Sequence, residues 1–204
     1  MLFLCLSLYL SGISLKLFSQ QKPRIHYSCD DQVVLNSSVP KAEYIQGFHL
    51  FHKSCIPGMV VVSYAKSPDK SLGVLITIMD SDPGTLNQAT VKFYAPQILG
   101  MKLVVQNSIK LGKYMDSLVA AGNLPIGSDP LRLATTKIIR GQEVAVILDS
   151  QPNDDLGFLA LIVKDRYIIK IELLKNTRLG HNHDQLIEFL SPFLNAIYLE
   201  GLEN

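Results

Sequence analysis

Tryptophan is missing from all 204 residues, cysteine occurs only three times, and no charged side chain precedes Lys16. The lack of tryptophan excludes nothing, because eight Phe and eight Tyr remain to fill a core. Other absences bear on function. The chain has no C-x-x-C, no G-x-S-x-G, no phosphate-binding glycine loop and no dinucleotide fingerprint. The usual local signatures of thiol, serine-hydrolase and nucleotide chemistry are therefore missing. Nineteen basic and 18 acidic residues leave a net charge of +1 with no cluster of Lys and Arg. Backbone binding to nucleic acid rests on such clusters, so no nucleic-acid partner is expected.

The uncharged start is also the most informative stretch present. Leu2 to Leu10 has the length of a signal-peptide apolar region and is too short to span a bilayer as a helix, which needs about 20 apolar residues. Gly12 and Ser14 offer a peptidase-like spacing with cleavage after Ser14, and Ser19 is a second candidate. Residues 1–19 are therefore read as a signal peptide or, uncleaved and continuing through Phe18, as an N-terminal anchor. In the second case the segment would be the chain's only membrane attachment. A buried N-terminal strand or helix is a further alternative, and no Lys or Arg precedes the run as an ordinary signal requires. Cys5 lies within the apolar run, which does not suit a lipoprotein signal. The expected location is extracytoplasmic, periplasmic or secreted.

Loss of the leader leaves Cys29 and Cys55, an even pair that an oxidising compartment would allow to bridge. Such a bridge would stabilise by roughly 3.5 kcal/mol on chain-entropy grounds. Asn36-Ser37-Ser38 fits the N-glycosylation pattern, a triplet common by chance. The hydrophobic fraction of 48% with 18% charged suits one ordinary folded domain over residues 45–204. Residues 20–44, polar and carrying Pro23 and Pro40, are read as an extended segment leading into it.

Along that domain, Met59 to Tyr64 and Gly73 to Met79 are rich in β-branched residues and predict an antiparallel hairpin. Thr85 is a candidate cap for a helix carrying Leu86, Ala89, Phe93 and Ile98 on one face, with Pro96 against it. A strand over Thr90 to Ala95 competes with this reading. Met101 to Val105 reads as a short strand, and Tyr114 to Ala121 as a helix ending at Gly122. Leu131–Arg140, Glu143–Asp149, Gly157–Val163 and Tyr167–Leu174 then predict a four-stranded meander, because connections as short as Arg140-Gly141-Gln142 force antiparallel neighbours. Asn182 and Gln185 form a capping-box pattern before a final helix. In that helix Leu186, Leu190, Phe193, Leu194 and Ile197 share a face, and Pro192 is expected to kink or divide it.

Residues suited to chemistry are few. His49, His52 and Cys55 follow H-x-x-H-x-x-C and could converge on zinc from a helix, although the segment alternates like a strand. His181 and His183, with Asp184 beside them, form a second weak metal candidate. Asp80-Ser-Asp82-Pro-Gly84 opens like a calcium loop, but Val91 stands where the twelfth-position Glu is needed, so a turn is preferred. Ser67-Pro-Asp-Lys70 has the short S-x-x-K pattern without the motifs that accompany it in serine acyl-enzymes. Asp149, Asp154 and Asp155 read as turn acids. No catalytic residue is assigned and no cofactor is expected.

The order of hairpin, helix, meander and closing helix resembles the PsbP/DcrB-like superfamily over roughly residues 45–199. The residues that carry it are Glu143-Val-Ala-Val-Ile-Leu-Asp149, Gly157-Phe-Leu-Ala-Leu-Ile-Val163, Tyr167-Ile-Ile-Lys-Ile-Glu-Leu-Leu174 and the last helix. The resemblance implies an exported α+β protein, an antiparallel sheet flanked by helices in an α/β/α sandwich, with a non-enzymatic binding or assembly-support role. It transfers no functional residue. The expected function is thus an exported binding or accessory protein for an unidentified protein or small molecule. The alternative is an exported hydrolase or metal-dependent enzyme assembled from the His49/His52 and His181/His183 regions.

Overall fold

A computed structural model describes residues 29, 33–56, 58–66, 72–82, 88–122, 134–151, 154–174 and 183–203. The leader, Ser67 to Lys70, Thr85, His181 and Asn182 lie outside the described residues. Eight described strands form one antiparallel sheet: β1 (Tyr44–Ile45), β2 (Phe48–Ile56), β3 (Met59–Lys66), β4 (Gly73–Asp80), β5 (Ala134–Ile139), β6 (Gln142–Gln151), β7 (Asp154–Val163) and β8 (Tyr167–Leu174). Their spatial order is β1-β2-β3-β4-β8-β7-β6-β5. Two meanders therefore meet at a β4–β8 seam whose register runs from Gly73↔Leu174 to Asp80↔Tyr167. The tight connections use left-handed backbone where two-residue hairpins need it, at Gln46-Gly47 (φ 47° and 87°) and Arg140-Gly141 (φ 52° and 75°).

Period-two alternation assigns each strand's two faces. Val74, Ile76 and Ile78 of β4 and Ile169, Ile171 and Leu173 of β8 are fully buried on the front face. There they meet helix α3 (His183–Asn195), which presents Leu186, Leu190, Phe193 and Leu194. The aromatic ring of Phe193 lies 5.6 Å from both Phe48 and Tyr64, edge to face. The helix thus packs on β6, β7 and β8 while its Phe193 reaches β2 and β3 of the first meander, beyond the last two strands that the sequence indicates. It continues through Pro192 to Asn195 undivided. Arg140, from the β5–β6 turn, donates to the carbonyls of Leu194 and Ile197 at 3.2 and 2.9 Å, tying that turn to the end of the helix. A short helix, Glu200–Glu203, follows.

The back face is covered over the second meander by a 33-residue helix, α2 (Gln88–Ala120), which packs on β5 to β8. This decides for the helix over the competing strand at Thr90 to Ala95, and it overturns the strand read at Met101 to Val105. The reason is spacing: Ile98, Met101, Val105 and Ile109 recur at three, four and four residues and pack with Met79, Ala160 and Ile168 of the sheet. β-Branched valines at 104 and 105 favour a strand locally, and burial against the sheet overrides that preference. The helix ends at Gly122 with φ +66°, as the sequence indicates.

Two departures remain. Val33–Ser38 forms a helix, α1, inside the segment read as extended, because Leu35, Ser38 and Val39 at i, i+3 and i+4 are all buried. Strands β6 and β7 extend to Gln151 and from Asp154, so Asp149, Asp154 and Asp155 belong to paired strand ends and the connection is shorter than expected. The meander and the helix-flanked α+β architecture are otherwise as the sequence indicates. Following the same numbering, the terminal helix Glu200–Glu203 is α4.

At the seam's end Arg166 donates through Nε and Nη2 to both carboxylate oxygens of Asp80, at 2.8 and 2.7 Å. The Asp80 side chain is buried, 7% exposed. Ser81 donates its amide and its hydroxyl to the Arg166 carbonyl at 3.0 and 2.6 Å, and the Asp80 amide reaches Gly58 O at 2.8 Å. The Asp82 amide donates to Asp80 Oδ1 at 2.9 Å, so the first acid of this stretch is held by the protein itself, and Val91 falls within α2, while Pro83 and Gly84 lie outside the described residues.

Two pairs of substitutions test this packing. Phe193→Ala should destabilise by about 3–5 kcal/mol, while the exposed Glu188→Ala should stay within about 0.5 kcal/mol, read from denaturant midpoints. A Cβ on Gly112 would stand 2.4 Å from Thr136 Oγ1 and 2.7 Å from the Thr135 carbonyl carbon, whereas one on Gly100 meets nothing within 4 Å. Gly112→Ala should therefore cost about 1–3 kcal/mol by forcing α2 off β5. Gly100→Ala should stabilise by roughly 0.5–1 kcal/mol through backbone entropy.

Candidate functional site

An irregularity in β2 shapes one wall of a cleft among the described residues. Residues three apart on a regular strand face opposite sides, yet Leu50 stands opposite Tyr64 and Lys53 opposite Val62, both partners on the buried front face. The register shift between Leu50 and His52 inserts Phe51 as an extra residue and brings Leu50 and Lys53 to one side. That side looks at α1. Between them lies a cleft of about 530 Å³, within the range of small-molecule sites.

The opposing wall is fixed from several directions. Ser38 and Ser37 donate their hydroxyls back to Val34 O at 2.8 and 2.9 Å, closing the short helix on itself. Tyr198 N donates to Ser38 O at 3.0 Å, tying α1 to the loop before α4. Beyond the helix, the buried Tyr64 hydroxyl donates to Ala42 O at 2.7 Å, and burial keeps this phenol in its neutral form by raising its pKa. Before the helix, the structure brings Cys29 and Cys55 to disulfide distance, with Cα atoms 5.2 Å apart. That spacing is within the normal range for a bridge.

The lining combines apolar and polar groups. Val39, Pro40 and Val62 are buried and form an apolar floor, with Leu50 at its edge. Lys41 and Lys53 reach the same cleft, and neither forms an ion pair among the described residues. Lys53 has a pKa below the ordinary lysine value because partial burial penalises its charged form. Asn36 adds a side-chain oxygen that is buried and has no hydrogen-bond partner among the described residues. A buried polar atom left so costs roughly 1–3 kcal/mol.

The histidine candidates have a different geometry. The same bulge places His49 and His52 opposite Ala65 and Ser63 on the back of the sheet, both exposed, while Cys55 opposes Val60 on the front. The three side chains of the H-x-x-H-x-x-C pattern therefore do not converge. The His49 ring instead meets Tyr44 edge to face at 4.9 Å. His183 opens α3, and Asp184 is exposed with one carboxylate oxygen 3.9 Å from Lys137. Among the described residues there is no group of three or more His, Cys, Asp or Glu side chains able to hold a metal ion.

Sequence reasoning did not single out Lys41, Lys53 or Leu50, and it read Asn36 only as part of a glycosylation triplet. Nothing local marks them. Their proximity depends on the Phe51 bulge and on a helix that forms only when packed. No protein-family model matches the chain, and no curated protein matches it.

Lys53 gives the cleft a direct readout. With the lysines carrying ¹³C-methyl labels, Lys53 should titrate below the ordinary value of 10.5. Because the unfolded chain then holds that proton more tightly, stability should rise with pH between the folded pKa and 10.5. Lys53→Met should remove this rise, as followed by denaturant midpoints across that window.

Proposed function

We propose that this chain is an exported, non-enzymatic binding or accessory protein that works through the α1–β2 cleft. The observation that carries the reading is the cleft itself, apolar at its floor and cationic at its rim. Such a mixture recognises a ligand by a few placed polar groups on an apolar surface.

The extracytoplasmic location is supported by the uncharged N-terminal run and by the Cys29–Cys55 pair, which suits an oxidising compartment. Among the described residues no helix is long and apolar enough to cross a membrane. The N-terminal segment would be removed on export or retained as the anchor. The order of elements along the second meander and α3 is compatible with the PsbP/DcrB-like resemblance and its binding role.

Fractionation of cells producing the full chain tests this reading. The protein should accumulate outside the cytoplasm, with mass spectrometry showing loss of residues through Ser14 or Ser19. Cys29 and Cys55 should resist alkylation until reduced. A full-mass cytoplasmic protein with both thiols reactive would overturn the assignment.

A further inference from the structure

The back of the sheet is unevenly covered. Helix α2 packs on β5 to β8 and meets the first meander at Met59 and Met79, while α1 and α3 belong to the front core. On the rest of the back, Val61, Ser63 and Ala65 of β3 and Leu75 and Thr77 of β4 alternate with buried front residues and are half-buried. One half of this face is therefore raised by a helix, and the other is a bare sheet over which no described helix packs.

The raised half is apolar on its outer side as well. Leu99, Leu103, Leu111 and Tyr114, between 47% and 59% exposed, lie on the side of α2 away from Ile98, Val105 and Ile109, which pack on the sheet. Charge on this ridge is largely neutralised within the chain. Lys102 is held by Asp165, Lys113 by Glu143, and Asp116 by Thr135 and Thr136, which leaves Lys110. At the border of the bare half, Lys170 and Glu172 pair with each other at 2.9 Å, and the Lys170 ammonium lies 4.8 Å over the Phe158 ring. Two identical surfaces bring like charges together, so a face whose charges are already paired is one that a second copy can cover without stranding an ion.

We propose that a second copy of this chain covers the bare half, in a two-fold dimer in which α2 of each copy lies on β3 and β4 of the other. Shape favours this occupant, because the raised half of one copy fills the step left by the bare half of its partner, and the two-fold repeats the fit. Size decides for the reciprocal arrangement. Leu99 to Tyr114 spans about 22 Å of a helix about 10–12 Å across, so seating it on a sheet removes roughly 500 Å² of surface from the two copies together. A specific interface needs about 1,000 Å², which a single seat does not supply and two symmetric seats do.

Sedimentation velocity of the purified chain over a wide range of concentration tests the dimer. A reversible monomer–dimer equilibrium is expected, with a Kd on the order of 1–100 μM for an interface at the small end of the range. Leu103→Glu on the ridge and Val61→Lys on the bare half should each weaken it by at least roughly a hundredfold, because each puts one uncompensated charge into both seats. Glu188→Lys, on the exposed side of α3, should leave it unchanged. Denaturant midpoints verify that each variant folds. If Val61→Lys does not fold, Ser63→Lys on the same face reads the same contact.

A chain that stays monomeric at all concentrations would overturn the proposal. So would a dimer insensitive to Leu103→Glu, or one insensitive to the bare-face substitution, since the first would be a sheet-to-sheet contact and the second a helix-to-helix contact. Binding of the monomer to phosphatidylglycerol vesicles that Leu103→Glu abolishes would assign the ridge to a membrane surface instead, and would overturn it equally.

Discussion

The β4–β8 seam is the pairing on which the rest of the molecule depends. It joins two meanders that share no other strand contact, and it does so through residues far apart in the chain, Gly73 with Leu174 and Asp80 with Tyr167. A one-residue slip there would turn Ile76, Ile78, Ile169 and Ile171 out of the front core and leave α3 without a surface. The Asp80–Arg166 pair fixes the end of that register. The carboxylate is buried and takes two short donations from one guanidinium, which its partner holds more firmly protonated than usual. A buried carboxylate without its cation is costly, so a register that separates the two is disfavoured.

With the seam set, the two faces receive their helices through close approach. Gly112 lets α2 come against the β5 backbone, and Gly157 does the same for α3, since a Cβ there would lie 2.6 Å from a Leu186 methyl. Shape at these crossings matters as much as apolar area. Arg140 adds a link of another kind, joining the β5–β6 turn to the end of α3 and, at 3.2 Å, to Glu200 of α4. The last helix is thereby placed against α1, and Gly201 lies close to Tyr198 and Ser38 at that junction. A chain of contacts therefore runs from the second meander to the helix that walls the cleft.

The cleft is a consequence of that assembly. α1 has six residues, too few to hold helical form in water by itself. It persists because Leu35, Ser38 and Val39 are buried and because Tyr198 and the Cys29–Cys55 pair secure its two sides. The bulge at Phe51 supplies the other wall. An unpartnered amide oxygen and two cations without anions are tolerated there because the lost interaction energy is small against the apolar core beside them.

Much of the frame was legible in the chain. Alternation in Tyr167 to Leu174 and Gly157 to Val163, the two-residue turn at Arg140-Gly141 and the stripe from Leu186 to Ile197 each encode their element locally, because period and turn geometry are properties of neighbouring residues. The same locality explains the failures. Met101 to Val105 carries strand-like residues but lies on a helix, since Ile98, Val105 and Ile109 gain more by facing the sheet together. The sequence by itself determined the β3–β4 hairpin, the second meander, the closing helix and an even pair of cysteines able to bridge. Only the tertiary structure decided the order in which the meanders join, the helical form of Val33–Ser38 and the bulge that turns Lys53 toward Asn36's cleft. Each of these depends on which distant surface is available for burial, and no local pattern carries that information.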